Sequence, residues 1–295
     1  MKSIIIHGGA WNMPEKLDKP HLKGVEAACK VARDALLDGR GSLEAVTDAL
    51  VLMEEDTTFD AGIGSFLNAA GDVELDAGIM DGTSGDYACC GAVSKLRNPI
   101  LACKRLLEVS PNKLLVCGGM HAFAKEQGFT LIDNDELKIP REIERYEGKT
   151  LPVASYFSPS DTVGAVALDD GGHIVAANTT GGTPGKPPGR LGDSPLVGCG
   201  IYAGPYAGAA ATGLGESIIK SVLTKRVYDY YCDHNDISLA TSAGIRDLAH
   251  HGWGGVIALD KHGTPSACHN TTKMPYATWD EKSDKIEKKI GNPRC

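Results

Sequence analysis

The stretch Ser160-Asp161-Thr162-Val163-Gly164-Ala165-Val166-Ala167-Leu168 constrains this chain more than any other. A short polar pair opens there into a small apolar run, and Thr162 to Leu168 reads as a buried strand. Asp169-Asp170-Gly171-Gly172 follows as a tight turn, and His173 to Asn178 reads as the returning strand. The hairpin presents its first residue, Thr162, exposed at one end. Upstream, residues 133–160 carry many charges and prolines at 140, 152 and 159, without a sustained helical or alternating pattern. They read as a segment without regular structure, which inside a compact protein usually has a task. A cut before Thr162 accounts for both features, because the segment becomes a free tail and the threonine a new N-terminus on a rigid strand. A threonine hydroxyl is a weak nucleophile without an adjacent base, and an N-terminal threonine carries one in its own α-amine, which titrates at about 7.7–8.0. Inside a peptide bond that base does not exist. The same Asp-Thr pair also suits a plain strand start.

The 295 residues, 42% of them hydrophobic, supply ample core for one large domain. A net charge of −8 without a basic run argues against a nucleic-acid partner. No apolar stretch reaches the roughly 18 residues of a membrane span, and the opening is too short for a signal-peptide core. Nine cysteines are scattered without metal-site spacing, which reads as reduced thiols of a cytoplasmic protein.

After a first strand over residues 3–6, the paired glycines of His7-Gly8-Gly9-Ala10 permit close backbone approach. Val25, Ala28, Cys29, Ala32 and Leu36 recur at helical spacing, as do Val46, Ala49, Leu50 and Met53 after the candidate cap Ser42. Asp72–Met80, Tyr87–Val93 and Lys113–Cys117 read as strands, with helices over Pro99–Leu107 and Met120–Lys125. Glu216–Tyr230 and Ile237–His250 read as helices, Trp253–Leu259 and Thr264–His269 as closing strands, and Asp280–Cys295 as a polar tail. The glycine pairs Gly62/Gly64 and Gly213/Gly215 fit neither the phosphate-loop nor the dinucleotide fingerprint.

Several blocks, in order, carry a resemblance: His7-Gly8-Gly9-Ala10, Phe59-Asp60-Ala61-Gly62-Ile63-Gly64-Ser65, Val73 to Gly82, Asn98-Pro99-Ile100, Asp161-Thr162, Thr179-Thr180-Gly181-Gly182, Gly189 to Pro195, and Thr212 to Glu216. Together they resemble the plant-type asparaginase and isoaspartyl peptidase family of N-terminal-nucleophile hydrolases across nearly the whole chain. The resemblance implies an α+β fold, a four-layer αββα sandwich. It implies a precursor that cuts itself between Asp161 and Thr162 into an α part, 1–161, and a β part, 162–295, with about 133–161 a flexible linker. The implied roles follow. Thr162 is the nucleophile, and Thr180 hydrogen-bonds it. Arg190 and Asp193 grip the α-carboxylate and α-amine of an aspartyl group beside Gly215, and Thr212 and Gly213 form the oxyanion hole. Gly8, Gly9 and Asp60 lie beside the nucleophile.

Two departures from the family pattern stand out. Trp11 replaces a further glycine common in the family, and Asp60 replaces an asparagine. A carboxylate at position 60 is expected to favour the ammonium form of Thr162 and weaken the base. No cofactor is implied for catalysis. A structural sodium is implied in the loop of Met53, Glu54, Asp56, Phe59, Ala61 and Ile63. The expected partners are a small substrate, asparagine or a β-aspartyl dipeptide, and a second copy in a dimer of αβ units. The rivals are a hydrolase of glycosylated asparagine of the aspartylglucosaminidase type, a threonine endopeptidase, and a non-catalytic aspartate-binding relative.

Overall fold

The computed structural model describes residues 1–148 and 161–291. It is a mixed α/β structure of two sheets and flanking helices. The elements run β1 (Ser3–Gly8), α1 (Asp18–Leu37), α2 (Gly41–Glu54), β2 (Leu75–Asp81), β3 (Tyr87–Val93), α3 (Pro99–Val109), β4 (Leu114–Val116), α4 (Cys117–Glu126) and α5 (Pro140–Glu147). Then come β5 (Val163–Leu168), β6 (Ile174–Thr180), β7 (Ile201–Ala203), β8 (Ala207–Gly213), α6 (Gly215–Ser221), α7 (Leu223–His234), α8 (Ile237–Leu248), β9 (Gly254–Asp260), β10 (Pro265–His269), β11 (Lys273–Asp280) and β12 (Glu287–Gly291).

The β5–β6 hairpin read from sequence stands at the centre of an eight-stranded sheet of order β12-β11-β1-β5-β6-β2-β3-β4. Flanked on both sides, β5 is buried over its whole length, which suits its run of small apolar residues. A second, four-stranded sheet has the order β10-β9-β8-β7. One apolar cluster joins α1, α2 and α3 to the large sheet through Ile4, Ile6, Leu36, Leu50, Phe59 and Leu106. Another lies between strands of the two sheets, through Ile5, Val166, Ile174, Ile257 and Leu259. A third packs Leu223, Val227, Ile237 and Leu248 of α7 and α8 against Ala209, Ala211, Val256 and Ala258.

Several expectations are corrected. Within the segment expected to lack regular structure, Asn134–Leu137 is a 3-10 turn with a capping box from Asp133 and Glu136, and Pro140 opens α5 at its first turn. Residues 149–160 of that segment lie outside the described ones. Ser42 sits inside α2 rather than at its cap. Its backbone N–H and its hydroxyl both donate to Asp169 Oδ2 from the hairpin turn, 3.2 Å each, so the cap comes from across the fold. The long helix after Gly215 is broken at Val222, which adopts the left-handed conformation at φ 49°. The polar tail includes β12, and β11 precedes it beside β1. Cys268 is disulfide-bonded, against the all-reduced expectation, whereas Cys29, Cys89, Cys90, Cys103, Cys117, Cys199 and Cys232 are free thiols.

Glu54 ties three elements together at the end of α2. Its Oε1 accepts from Thr179 Oγ1 at 2.7 Å and from the Ile100 N–H at 3.2 Å. Full burial pushes its carboxyl up to about 8, over the opposing pull of the Thr179 hydrogen bond. Between its unfolded value and about 8 the folded chain therefore holds a proton that the unfolded chain has lost. Stability from this group is complete below the unfolded value and is lost as pH rises through about 8. The thermal midpoint of Glu54→Gln is expected to fall less between about pH 5 and about pH 9 than that of the parent chain. Parallel slopes in a melting series would refute this assignment.

Candidate active site

Strand ends gather the site. Val163, next to Thr162, pairs with Gly8 at the end of β1 and with Thr179 near the end of β6. β8 is tied to the same end by the Asn178 amide, which donates to the carbonyls of Gly200 and Ala211, 2.9 Å each. Gly8, Gly9, Thr162, Thr180, Thr212 and Gly213 are thereby collected at one end of the two sheets. Gly164 lies beneath them, where a Cβ would collide with both Asn178 Oδ1 and His7 Nε2. His7 is fully buried, and desolvation lowers its ring to about 3, so it stays neutral. Gly9 donates its N–H to His7 Nδ1 at 3.4 Å. Gly8 is covered by the Phe59 ring, 2.5 Å from where a Cβ would stand.

Thr162 is 6% exposed, not open as expected, because Asp161 before it is itself anchored and the two cover the strand end together. Its hydroxyl donates to Thr180 Oγ1 at 2.9 Å. Thr180 Oγ1 also accepts from the Gly182 N–H at 3.0 Å and donates to Asp60 Oδ2 at 3.4 Å. Asp60 Oδ1 accepts from the Phe66 N–H at 2.9 Å. Burial pushes the Asp60 carboxyl well up, against the Phe66 hydrogen bond, and the neighbouring Asp161 adds to the rise. Both effects favour the protonated form of Asp60 and weaken the expected carboxylate charge beside Thr162. Thr212 Oγ1 is buried without a hydrogen-bond partner among the described residues, a condition that a developing oxyanion would relieve.

Arg190 and Asp193 converge over Gly215. A Cβ there would stand 2.9 Å from Arg190 Nη2 and 3.0 Å from Asp193 Oδ1. The Arg190 fork is taken by Glu216, with Nε and Nη2 at 2.9–3.0 Å from its carboxylate. Asp193 Oδ2 is buried and has no hydrogen-bond partner among the described residues. Burial raises its carboxyl to about 7, although Arg190 pulls it down. An ammonium and a carboxylate borne on one carbon, the two ends of a free amino acid, would satisfy both groups.

Lys186 was not anticipated. It is buried, donates to the Glu74 carbonyl at 2.9 Å and stands 3.9 Å from Asp76 Oδ2. Its one sequence signal is that it is the only charged residue between Thr183 and Gly189, a loop of glycine and proline. His21 and Asn178 also emerge as parts of the site only in three dimensions, and Trp11, noted in the sequence as a departure, gains its partner Asp161 only there.

In the loop after α2, Met53, Phe59 and Ala61 are buried, and Asp56 Oδ1 caps the Thr58 N–H at 2.9 Å. Ile63 lies in the 3-10 turn Gly62–Gly64. A Cβ at Gly62 would collide with the Glu54 carbonyl oxygen, and one at Gly64 with that of Phe59, so the turn leaves main-chain oxygens crowded around glycine hydrogens. Among the described residues, no cluster of His, Cys, Asp or Glu is disposed to hold a metal. Oxygen donors of this kind suit a hard cation rather than a transition metal. A separate cavity of about 250 Å³ lies at the opposite end of the hairpin, lined by Ser42, Asp169 and His173. Its Asp169 is engaged with α2.

The profile of the asparaginase family matches residues 1–287. An isoaspartyl peptidase/L-asparaginase of Xenopus laevis is 36% identical over 281 residues, 93% of this chain and 91% of the relative. A plant-type L-asparaginase of Pyrococcus furiosus is 35% identical, covering 94% of this chain and 96% of its own length. An isoaspartyl peptidase of Escherichia coli is also 35% identical, over 95% of this chain and 93% of the relative.

Proposed function

Since the chain belongs to the asparaginase family and is a hydrolase, we propose that it hydrolyses L-asparagine and β-aspartyl dipeptides through an N-terminal threonine that it frees itself. The fold is then the four-layer αββα sandwich, with the three apolar clusters as its interlayer cores. The observation that carries the reading is the hydroxyl pair Thr162–Thr180 at the mouth of the central hairpin.

In the first step Thr162 Oγ1 attacks the Asp161 carbonyl carbon. The Asp161–Thr162 amide bond breaks, the Thr162 nitrogen gains a proton, and water opens the resulting ester. The freed amine then accepts the Oγ1 proton as the hydroxyl attacks the substrate's side-chain carbonyl. The oxyanion is held by the Thr212 hydroxyl and the Gly213 N–H. Ammonia or the leaving amino acid departs with the proton, and water releases aspartate from the Thr162 ester. Arg190 and Asp193 hold the aspartyl α-carboxylate and α-amine, and Gly215 leaves room for both. Asp60 accepts from the Thr180 hydroxyl and so orients it, and its burial disfavours the carboxylate form that would stabilise the ammonium of Thr162. The carbonyls of Met53, Glu54, Asp56, Phe59, Ala61 and Ile63 would hold a sodium ion, which contributes rigidity to the loop carrying Asp60. The protein acts in the cytoplasm as a dimer of αβ units.

A denaturing mass spectrum of fresh and aged protein tests the first step, with fragments 1–161 and 162–295 expected. Ammonia and aspartate release from asparagine by the cut protein tests the second. A cut protein that binds aspartate and turns nothing over would instead identify a binding relative.

The Asp193 carboxyl, raised to about 7, must ionise to grip an ammonium. KM for asparagine is accordingly expected to fall as pH rises through about 7, while kcat follows the Thr162 amine at about 7.7–8.0. Asp193→Asn should abolish the KM transition and leave that in kcat. A KM profile unchanged by this substitution would remove Asp193 from the grip.

A further inference from the structure

Asp161, the residue given up by cleavage, sits in a built seat. Its Oδ1 accepts the indole N–H of Trp11, and His21 Nε2 lies 3.4 Å away with no other partner. The His21 side chain is wholly buried, its ring edge-on to Phe59 at 5.2 Å. His21 Nδ1 stands 2.8 Å from the Leu17 carbonyl, which can only accept, so this nitrogen carries a proton. Nε2 faces the Asp161 side chain, which favours a second proton there and with it the charged form of the ring. Burial works against that charge, but Asp161, with a smaller contribution from Asp56, holds His21 above its ordinary value. Beside the carboxylate opens a cavity of about 200 Å³, lined by Trp11, Lys16, Leu17, Phe66, Arg141 and Arg145 among others. Arg141 and Arg145 share the buried Glu142, and the Arg145 guanidinium also covers the Phe66 ring at 4.7 Å. Lys16 pairs with no carboxylate among the described residues.

Cleavage detaches Asp161 from Thr162. If its carboxylate departs, the Trp11 indole N–H loses its acceptor and His21 loses the anion that favours its second proton, in a pocket bordered by cations, and an incoming carboxylate restores both. Such a seat is complementary to one small anion carrying an apolar body. It also adjoins the nucleophile on the side from which the chain itself is expelled. In a β-aspartyl dipeptide, the free carboxylate of the leaving residue is separated from the scissile carbonyl by only the amide nitrogen and one carbon.

Resting on the hydrolase reading above, we propose that the seat vacated by Asp161 binds the free α-carboxylate of the leaving amino acid, with Trp11 and His21 as its donors. The chain's own aspartate stands in for that carboxylate before maturation. β-Aspartyl dipeptides with a free C-terminus are thereby the preferred substrates over their C-terminal amides.

The test uses fully cleaved protein, verified by mass, with three substrates: β-aspartyl-leucine, its C-terminal amide, and asparagine. The acid is expected to exceed the amide in kcat/KM by about tenfold or more, mainly through KM. In matured Trp11→Phe the ratio of acid to amide is expected to shrink towards one. Because the readout is a ratio, slower maturation of the variant does not obscure it, and the wild-type comparison stands even if that variant fails to mature. Equal rates on acid and amide, with asparagine still hydrolysed, would overturn the subsite and leave the hydrolase reading intact; this is also the result if Asp161 stays in its seat. Failure on all three substrates would overturn both.

Discussion

Replacing Thr162 by alanine is expected to leave a single uncut chain and to lower asparagine turnover by about ten-thousandfold or more. Both effects follow from one oxygen. In the proposed mechanism Thr162 Oγ1 attacks the Asp161 carbonyl, and without that attack the amine that would activate a hydroxyl in turnover never appears. The loss is not one of folding. Alanine removes the 2.9 Å hydrogen bond to Thr180 Oγ1, worth about 1 kcal/mol, while Thr180 keeps the Gly182 N–H and Asp60 as partners. Far-ultraviolet dichroism should therefore match that of the uncut parent chain, and the melting midpoint should fall by only about 2–4 °C. Fragments 1–161 and 162–295 in the alanine protein, or substantial aspartate release, would displace Thr162 as the nucleophile.

That position was legible because its neighbourhood is local. The hairpin's apolar run, its Asp-Gly turn and the polar step before it lie within twenty residues, and the strands fall within about two residues of the expected ones. The partner strands were less visible. β8 is Ala207-Gly208-Ala209-Ala210-Ala211-Thr212-Gly213, a composition with little intrinsic strand preference. It is a strand because close packing there admits only small side chains; a Cβ on Gly208 would approach Val166 to 2.7 Å. β12 is short, charged and at an edge, features that mask a strand from pattern reading while protecting the sheet from pairing with other chains.

Charge was the hardest property to read. Asp60 looks like an anion in the sequence, and a carboxylate beside an N-terminal amine would oppose catalysis. In the fold, burial and the proximity of Asp161 favour its neutral form, so the substitution costs the site less than its formal charge suggests. His21 is the converse. Nothing in the sequence of α1 marks it as a group with a raised pKa; burial alone would lower it, and the long-range meeting with Asp161 raises it. Lys186 shows the same dependence, because a loop lysine is ordinarily solvated until Asp76 and the Glu74 carbonyl enclose it.

Arg190→Ala is expected to reduce kcat/KM for asparagine by about a hundredfold to a thousandfold, chiefly in KM, as the loss of a bidentate charge-assisted contact predicts. The structure bears on why the arginine is available at all. Its fork is occupied by Glu216, but the Glu216 side chain is 56% exposed whereas that of Arg190 is 15% exposed. A solvated carboxylate contributes little to such a pair, so an incoming substrate carboxylate, backed by Asp193 on its ammonium, can replace it. The exchange also keeps the guanidinium oriented in the empty site. Arg190→Lys retains the charge without the planar fork, and its kcat/KM should fall between those of the parent and the alanine protein. Kinetics on the cut proteins decide the matter: a KM unmoved by either substitution would mean that the aspartyl carboxylate is held elsewhere, and that Arg190 serves only its surface pair with Glu216.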